Sequence, residues 1–202
     1  MTNPDYTAVA MLVDRSGSMH STADDAIGGM KTFIEEQRAL PGKCTLRVSQ
    51  FDDRYEVVYE STPIDDAPPP GLEPRGMTAL LDAWGKLITE FGEELAALPE
   101  DERPGNVIFV VITDGQENAS KEWTRDRLFA KVTEQTEKYG WKFLFLAADQ
   151  DAIQVGGSYG VARGQTMSYK GDSVGTQSAY AAVTTMVTNT RAGKASQLTP
   201  DE

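Results

Sequence analysis

The chain has 202 residues, 40% of them hydrophobic and 25% charged, the balance of a globular domain able to bury a sizeable core. Its formal net charge of −12 disfavours phosphate backbones and anionic lipid, which sets aside nucleic-acid and membrane-surface binding as main roles. The single cysteine, Cys44, excludes an internal disulfide and, at the start of an apolar strand, reads as an inert, partly buried thiol.

The first residues carry no basic segment, the apolar run after them is short, and no later run reaches the length of a membrane span. The expectation is therefore a cytoplasmic protein. Residues 6–13 are a continuous apolar run, the mark of a strand covered on both faces. It empties into Asp14-Arg15-Ser16-Gly17-Ser18. Ser21 or Thr22 can then cap a helix whose Asp24 and Asp25 suit its positive N-terminal end, and Pro41-Gly42 stops it. Residues 45–51 and 55–60 alternate apolar and polar around the turn Asp52-Asp53-Arg54, which predicts an antiparallel hairpin at a sheet edge.

Residues 63–74, with Pro68-Pro69-Pro70-Gly71, form a rigid loop. From Arg75-Gly76-Met77-Thr78-Ala79-Leu80 a helix opens, its apolar stripe running through Leu80, Trp84, Leu87, Ile88, Phe91, Leu95 and Leu98. A second buried strand at 106–113 empties into Asp114-Gly115-Gln116-Glu117-Asn118. A third helix faces Trp123, Leu128, Phe129, Val132 and Tyr139 inward and ends at Gly140. A third buried strand, residues 141–148, ends in Asp149. Beyond it the pattern predicts a short helix within 151–161, a last strand at 165–169 and a helix over 176–190. Residues 1–191 read as one domain and residues 192–202 as a polar, flexible tail.

Strands alternating with helices predict an α/β sandwich: a mostly parallel central sheet with one antiparallel edge strand and helices on both faces. In such sheets ligands bind beyond the carboxyl ends of the strands. Asp14, Ser16, Ser18 and Asp114 lie just past strand ends, and Thr78 opens a helix that returns to the same rim. Hydroxyl and carboxylate oxygens converging there suit a small hard cation. The plainer reading makes the serines helix caps, Thr78 an N-cap and Asp114-Gly115 a turn. Arg15 and His20 read as surface residues, Glu117, Asn118 and Asp149 as polar residues near the rim, and Trp84 and Trp123 as core.

Asp14-x-Ser16-x-Ser18, Thr78 and Thr113-Asp114-Gly115, in this order, closely resemble the metal-ion-dependent adhesion site of von Willebrand factor A (vWA) domains. The likeness covers residues 6–190 and is greatest to stand-alone intracellular domains of bacteria and phages. It implies a three-layer Rossmann-like sandwich binding Mg²⁺ or Mn²⁺ ahead of Ca²⁺. Ser16 and Ser18 would ligate directly, Thr78 directly or through water, and Asp14 and Asp114 mainly through waters. It further implies a non-enzymatic module whose ion takes a Glu or Asp from a partner protein, a separate AAA+ ATPase being one candidate. The chain itself has no Gly-x-x-x-x-Gly-Lys-Ser/Thr motif. Two other readings remain open at this point. One is a Mg²⁺-dependent hydrolase or phosphoryl-transfer enzyme, and the other a vWA fold whose ion only props up the loops.

Overall fold

The computed structural model describes residues 2–194 and 197–198. Among them the chain runs β1 (Asn3–Asp14), α1 (Ala23–Arg38), β2 (Lys43–Phe51), β3 (Tyr55–Pro63), α2 (Leu80–Ala97), β4 (Pro104–Thr113), α3 (Arg125–Tyr139), β5 (Lys142–Ala148), α4 (Ala152–Gly157), β6 (Thr166–Tyr169) and α5 (Ser173–Arg191). The six strands form one sheet in the order β3-β2-β1-β4-β5-β6. All neighbours pair parallel except the β2–β3 hairpin, so β3 is the antiparallel edge.

Alternate residues of each inner strand feed opposite faces, as the pleat requires. On one face Val9, Met11 and Val13 of β1 pack with Met30 and Phe33 of α1 and Val183 and Val187 of α5. On the other, Ala8, Ala10 and Leu12 pack with Trp84, Leu87 and Phe91 of α2 and Leu128 and Val132 of α3. Trp84 is fully buried and stacks on Phe109 and Phe145 with centroids 6.1 and 5.8 Å away. Helices on both faces of a mostly parallel sheet give the expected α/β sandwich.

Strand order reverses direction at β1: the chain moves outward to β2 and β3, then returns to β4 on the other side of β1. The crevice beyond the carboxyl ends of β1 and β4 is the place where such a sheet leaves room for a ligand. Asp14 ends β1 and Thr113 ends β4, so both motif loops leave from that seam.

Several expectations are corrected. Helix α2 begins at Leu80 with Ala79 as its N-cap residue, so Thr78 is not the cap. On α3 the buried positions are Leu128, Val132 and Gln135, whereas Phe129 and Tyr139 are 46% and 54% exposed. Phe129 sits one residue, about 100°, off the narrow stripe that meets the sheet, and Tyr139 lies in the last turn of the helix. Trp123 precedes α3 and is only partly buried, packing over Gly85. Cys44 is buried, and burial pushes its thiol up to about 11, in keeping with an inert role. Residues 195, 196 and 199–202 of the tail read at 192–202 lie outside the described residues. Within it Leu198 is buried, and its N–H donates to the Gly164 carbonyl at 2.9 Å. No helix among the described residues is long and apolar enough to cross a membrane.

Candidate metal centre

The structure brings Asp14, Ser16, Ser18, Thr78 and Asp114 together at the β1–β4 seam. Asp14 is fully buried, and every contact of its carboxylate fixes its orientation. Oδ1 accepts the Ser16 N–H at 2.7 Å, and Oδ2 accepts the Thr113 hydroxyl at 2.6 Å and the Gly115 N–H at 3.4 Å. Ser16 starts a single-turn 3₁₀ helix (Gly17–Ser21) but its hydroxyl caps nothing. That hydroxyl lies 3.0 Å from the Ser18 hydroxyl, which donates to Asp114 Oδ1 at 2.6 Å across 96 residues of sequence. The helix-cap reading of the two serines is therefore not what the hydroxyls do. Thr22, the N-cap residue of α1, likewise makes no side-chain cap bond.

Thr78 is 3% exposed and held by a reciprocal pair with Asn118. Its N–H donates to Asn118 Oδ1 at 3.0 Å, and the Asn118 N–H donates to its carbonyl at 3.0 Å. Gly115 keeps the centre open. A Cβ there would come within 2.5 Å of Thr78 Oγ1 and 3.3 Å of Asp14 Oδ2, so the missing side chain leaves a cradle bordered by both. Gln150 Nε2 donates to the Gly115 carbonyl at 3.3 Å, and the Tyr169 hydroxyl to that of Thr113 at 3.3 Å, pinning the loop from β5 and β6. Ser18 is exposed, Ser16 buried and Asp114 half-buried, so the cluster opens to solvent on one side.

Its electrostatics are unbalanced. Burial raises the Asp14 carboxyl, offset in part by the Thr113 and Ser16 hydrogen bonds. Asp114 is pushed up to about 6, chiefly by burial and then by the negative charges of Asp14 and Asp149, against the lowering bond from Ser18. Two carboxylates crowded with three hydroxyls, all hard oxygen donors, fit a small divalent cation. Among the described residues no three His, Cys, Asp or Glu side chains converge to hold a metal. This donor set is different in kind, because three of its five residues, Ser16, Ser18 and Thr78, offer hydroxyls.

The remaining sequence expectations divide. His20 is exposed, as read. Arg15 is not solvent-facing: it is 5% exposed and ion-paired to Asp52 and Glu56, because a buried guanidinium was met by carboxylates distant in sequence. Glu117 is a structural anchor, its carboxylate accepting the N–H groups of Leu81, Ala119 and Ser120 and the Ser120 hydroxyl. Asp149 takes a left-handed backbone, φ 52°, and accepts the Gly171 N–H at 3.2 Å. The Thr113 hydroxyl and Gln150 are further supports that spacing did not reveal.

The fold is that of a von Willebrand factor A domain, and the solved structures most similar to it include adhesion and matrix proteins. The vWF domain of a type V pilus tip protein from Porphyromonas gingivalis aligns with TM-score 0.64 and 9% identity, covering 100% of this chain and 98% of that one. The pilus adhesin SpaC of Lactobacillus rhamnosus GG aligns with TM-score 0.68 and 13% identity over 93% of this chain and 31% of that one. Proximal thread matrix protein 1 of the mussel byssus, with a zinc-occupied MIDAS motif, aligns with TM-score 0.58 and 16% identity over 90% of this chain and 46% of that one. The chain spans less than half the length of the byssus protein and of several other matched chains. Neither family models nor curated proteins yield a match to the sequence.

Proposed function

We propose that this chain is a non-enzymatic protein-interaction module that binds a partner's Glu or Asp through a divalent cation at its β1–β4 rim. The observation that carries the reading is the chain of contacts from the Ser16 hydroxyl to the Ser18 hydroxyl and from Ser18 to Asp114, in place of any capping role. The zinc-occupied MIDAS of a vWA neighbour supports it coarsely. Ser16 and Ser18 would hold the ion directly, Thr78 directly or through water, and Asp14 and Asp114 through waters. Mg²⁺ or Mn²⁺ suits hard oxygen donors best. When bound, the ion supplies a positive coordination position that neutral hydroxyls leave under-neutralised, which is what attracts a partner carboxylate.

The chain's own residues do the rest. Thr113 and the Ser16 N–H orient Asp14, Ser18 positions Asp114, and Asn118 fixes Thr78. The resemblance to stand-alone bacterial domains extends the proposal to a cytoplasmic setting and to a separate AAA+ ATPase as partner.

Thermal melting in Mg²⁺ or Mn²⁺ against EDTA tests the reading. At a hundredfold excess over Kd the ion adds about 2.7 kcal/mol, a rise of roughly 5–10 °C for a chain of this size. Asp14→Ala should abolish the rise; an unchanged wild-type melt in saturating metal contradicts the proposal. Mg²⁺-dependent turnover of generic phosphoesters, lost in Asp14→Ala, would replace it with an enzymatic reading.

A further inference from the structure

Beside the serine loop lies a charge cluster with a buried heart, Arg15 and Asp52, that the ligand set does not use. Among the described residues the buried charged side chains are Asp14, Arg15, Arg47 and Asp52, and two of these, Arg15 and Asp52, pair with each other. Asp52 is fully buried. Its Oδ2 accepts Arg15 Nε at 3.0 Å and Arg75 Nε at 2.8 Å, and its Oδ1 accepts the Arg54 N–H at 2.7 Å. Its own carbonyl accepts the Ala79 N–H at 2.8 Å, one residue past Thr78. Glu56 closes the cluster from β3, 2.8 Å from Arg15 Nη1 and 3.6 Å from Arg75 Nη2.

These contacts join two loops that are distant in sequence. Arg15 stands between Asp14 and Ser16, and Arg75 stands three residues before Thr78. Directly between the loops run two backbone bonds, Arg75 N–H to the Arg15 carbonyl at 2.8 Å and Gly17 N–H to the Gly76 carbonyl at 3.2 Å. Gly76 has φ 69°, and a Cβ on it would clash with Asp53, so the second loop is fitted closely against the β2–β3 turn. A buried ion pair is a poor device for stability, because desolvation offsets its attraction; fixing one geometry among several is its better-attested use.

The geometry points to Asp52 and Arg75 as positioning residues that set the separation between the serine loop and Thr78, and hence the affinity of the centre for its cation. They touch neither the proposed ion nor a ligand side chain and act through backbone. The inference rests on the metal-dependent reading above.

Calorimetric titration of Mn²⁺ into the full chain tests it. The variants are Arg75→Gln, Asp52→Asn and, as a control, Glu94→Gln, which removes one of the two α2 carboxylates, Glu90 and Glu94, paired with Arg47 away from the rim. Arg75 is 51% exposed, so its loss should move the metal-free Tm by no more than about 2–4 °C. Its Mn²⁺ affinity should nonetheless fall about tenfold, the lower end of what supporting groups contribute. Asp52→Asn should lose at least as much affinity, and Glu94→Gln should lower Tm with affinity intact. If Asp52→Asn does not fold, Arg75→Gln alone decides. Wild-type affinity in Arg75→Gln, or affinity falling in step with Tm in all three variants, overturns the inference while leaving the metal reading standing. A wild type that binds no Mn²⁺ overturns both.

Discussion

Asp114 carries the sharpest consequence at the scale of single residues. Burial and the neighbouring Asp14 and Asp149 charges push its carboxyl up to about 6 from an ordinary value of 3.8. The folded, metal-depleted chain therefore holds this proton more tightly than the unfolded chain does. The associated stability is fully present below about pH 4 and is lost as pH rises through about 6. A cation has the opposite preference, since it needs the carboxylate. The Tm difference between Mg²⁺ and EDTA should therefore widen from about pH 5 to pH 7, and Asp114→Asn should flatten that dependence. A metal-induced shift of constant size across the window would contradict the assignment. The residues of this centre were legible in sequence because Asp14, Ser16, Ser18 and Asp114 lie at or within four residues of a strand end and Thr78 lies just before a helix start. Arg15 was not, since nothing local marks a buried arginine; its counter-ion Asp52 stands 37 residues away.

Among the elements, α2 is instructive because its N-terminus is capped by another segment. Ala79 offers no side-chain acceptor, and the N–H groups of Leu81 and Asp82 go instead to Glu117 at 2.9 Å and the Ser120 hydroxyl at 3.1 Å. Asp82 returns the favour, accepting from the N–H groups of Lys121, Glu122 and Trp123. The Thr78 segment and the loop after β4 thus stand or fall together. Glu117→Ala should cost about 1–2 kcal/mol, in the range of lost N-caps, and lower Tm by about 2–8 °C; circular dichroism melting in EDTA measures this, and an unchanged Tm would show the cap to be dispensable. The strands, the hairpin and the order of helices could be read from apolar runs and breakers. The reciprocal cap could not, because it joins residues about forty positions apart that follow no periodic pattern. Helix α3 misled for a different reason: its apolar residues outnumber the positions that face the sheet, so Phe129 and Tyr139 remain exposed.

For the whole molecule, strand order makes the site possible. Reversal at β1 opens one crevice in the sheet, and the chain sends its serine loop and its Asp114 loop into it from adjacent strands. The third piece, Thr78, arrives from the hairpin edge and is tied down by Asn118, while the Asp52 carbonyl holds the N–H of the next residue, Ala79. In the function proposed above, these three pieces hold one hard divalent ion with a position left for a partner's carboxylate. Crystals grown with Mn²⁺ and measured for anomalous scattering test it most directly. One strong anomalous peak is expected at bonding distance, about 2.0–2.3 Å, from the Ser16 and Ser18 hydroxyls, with Asp14 and Asp114 behind it. A map with no peak there, or with peaks only elsewhere on the acidic surface, would contradict it.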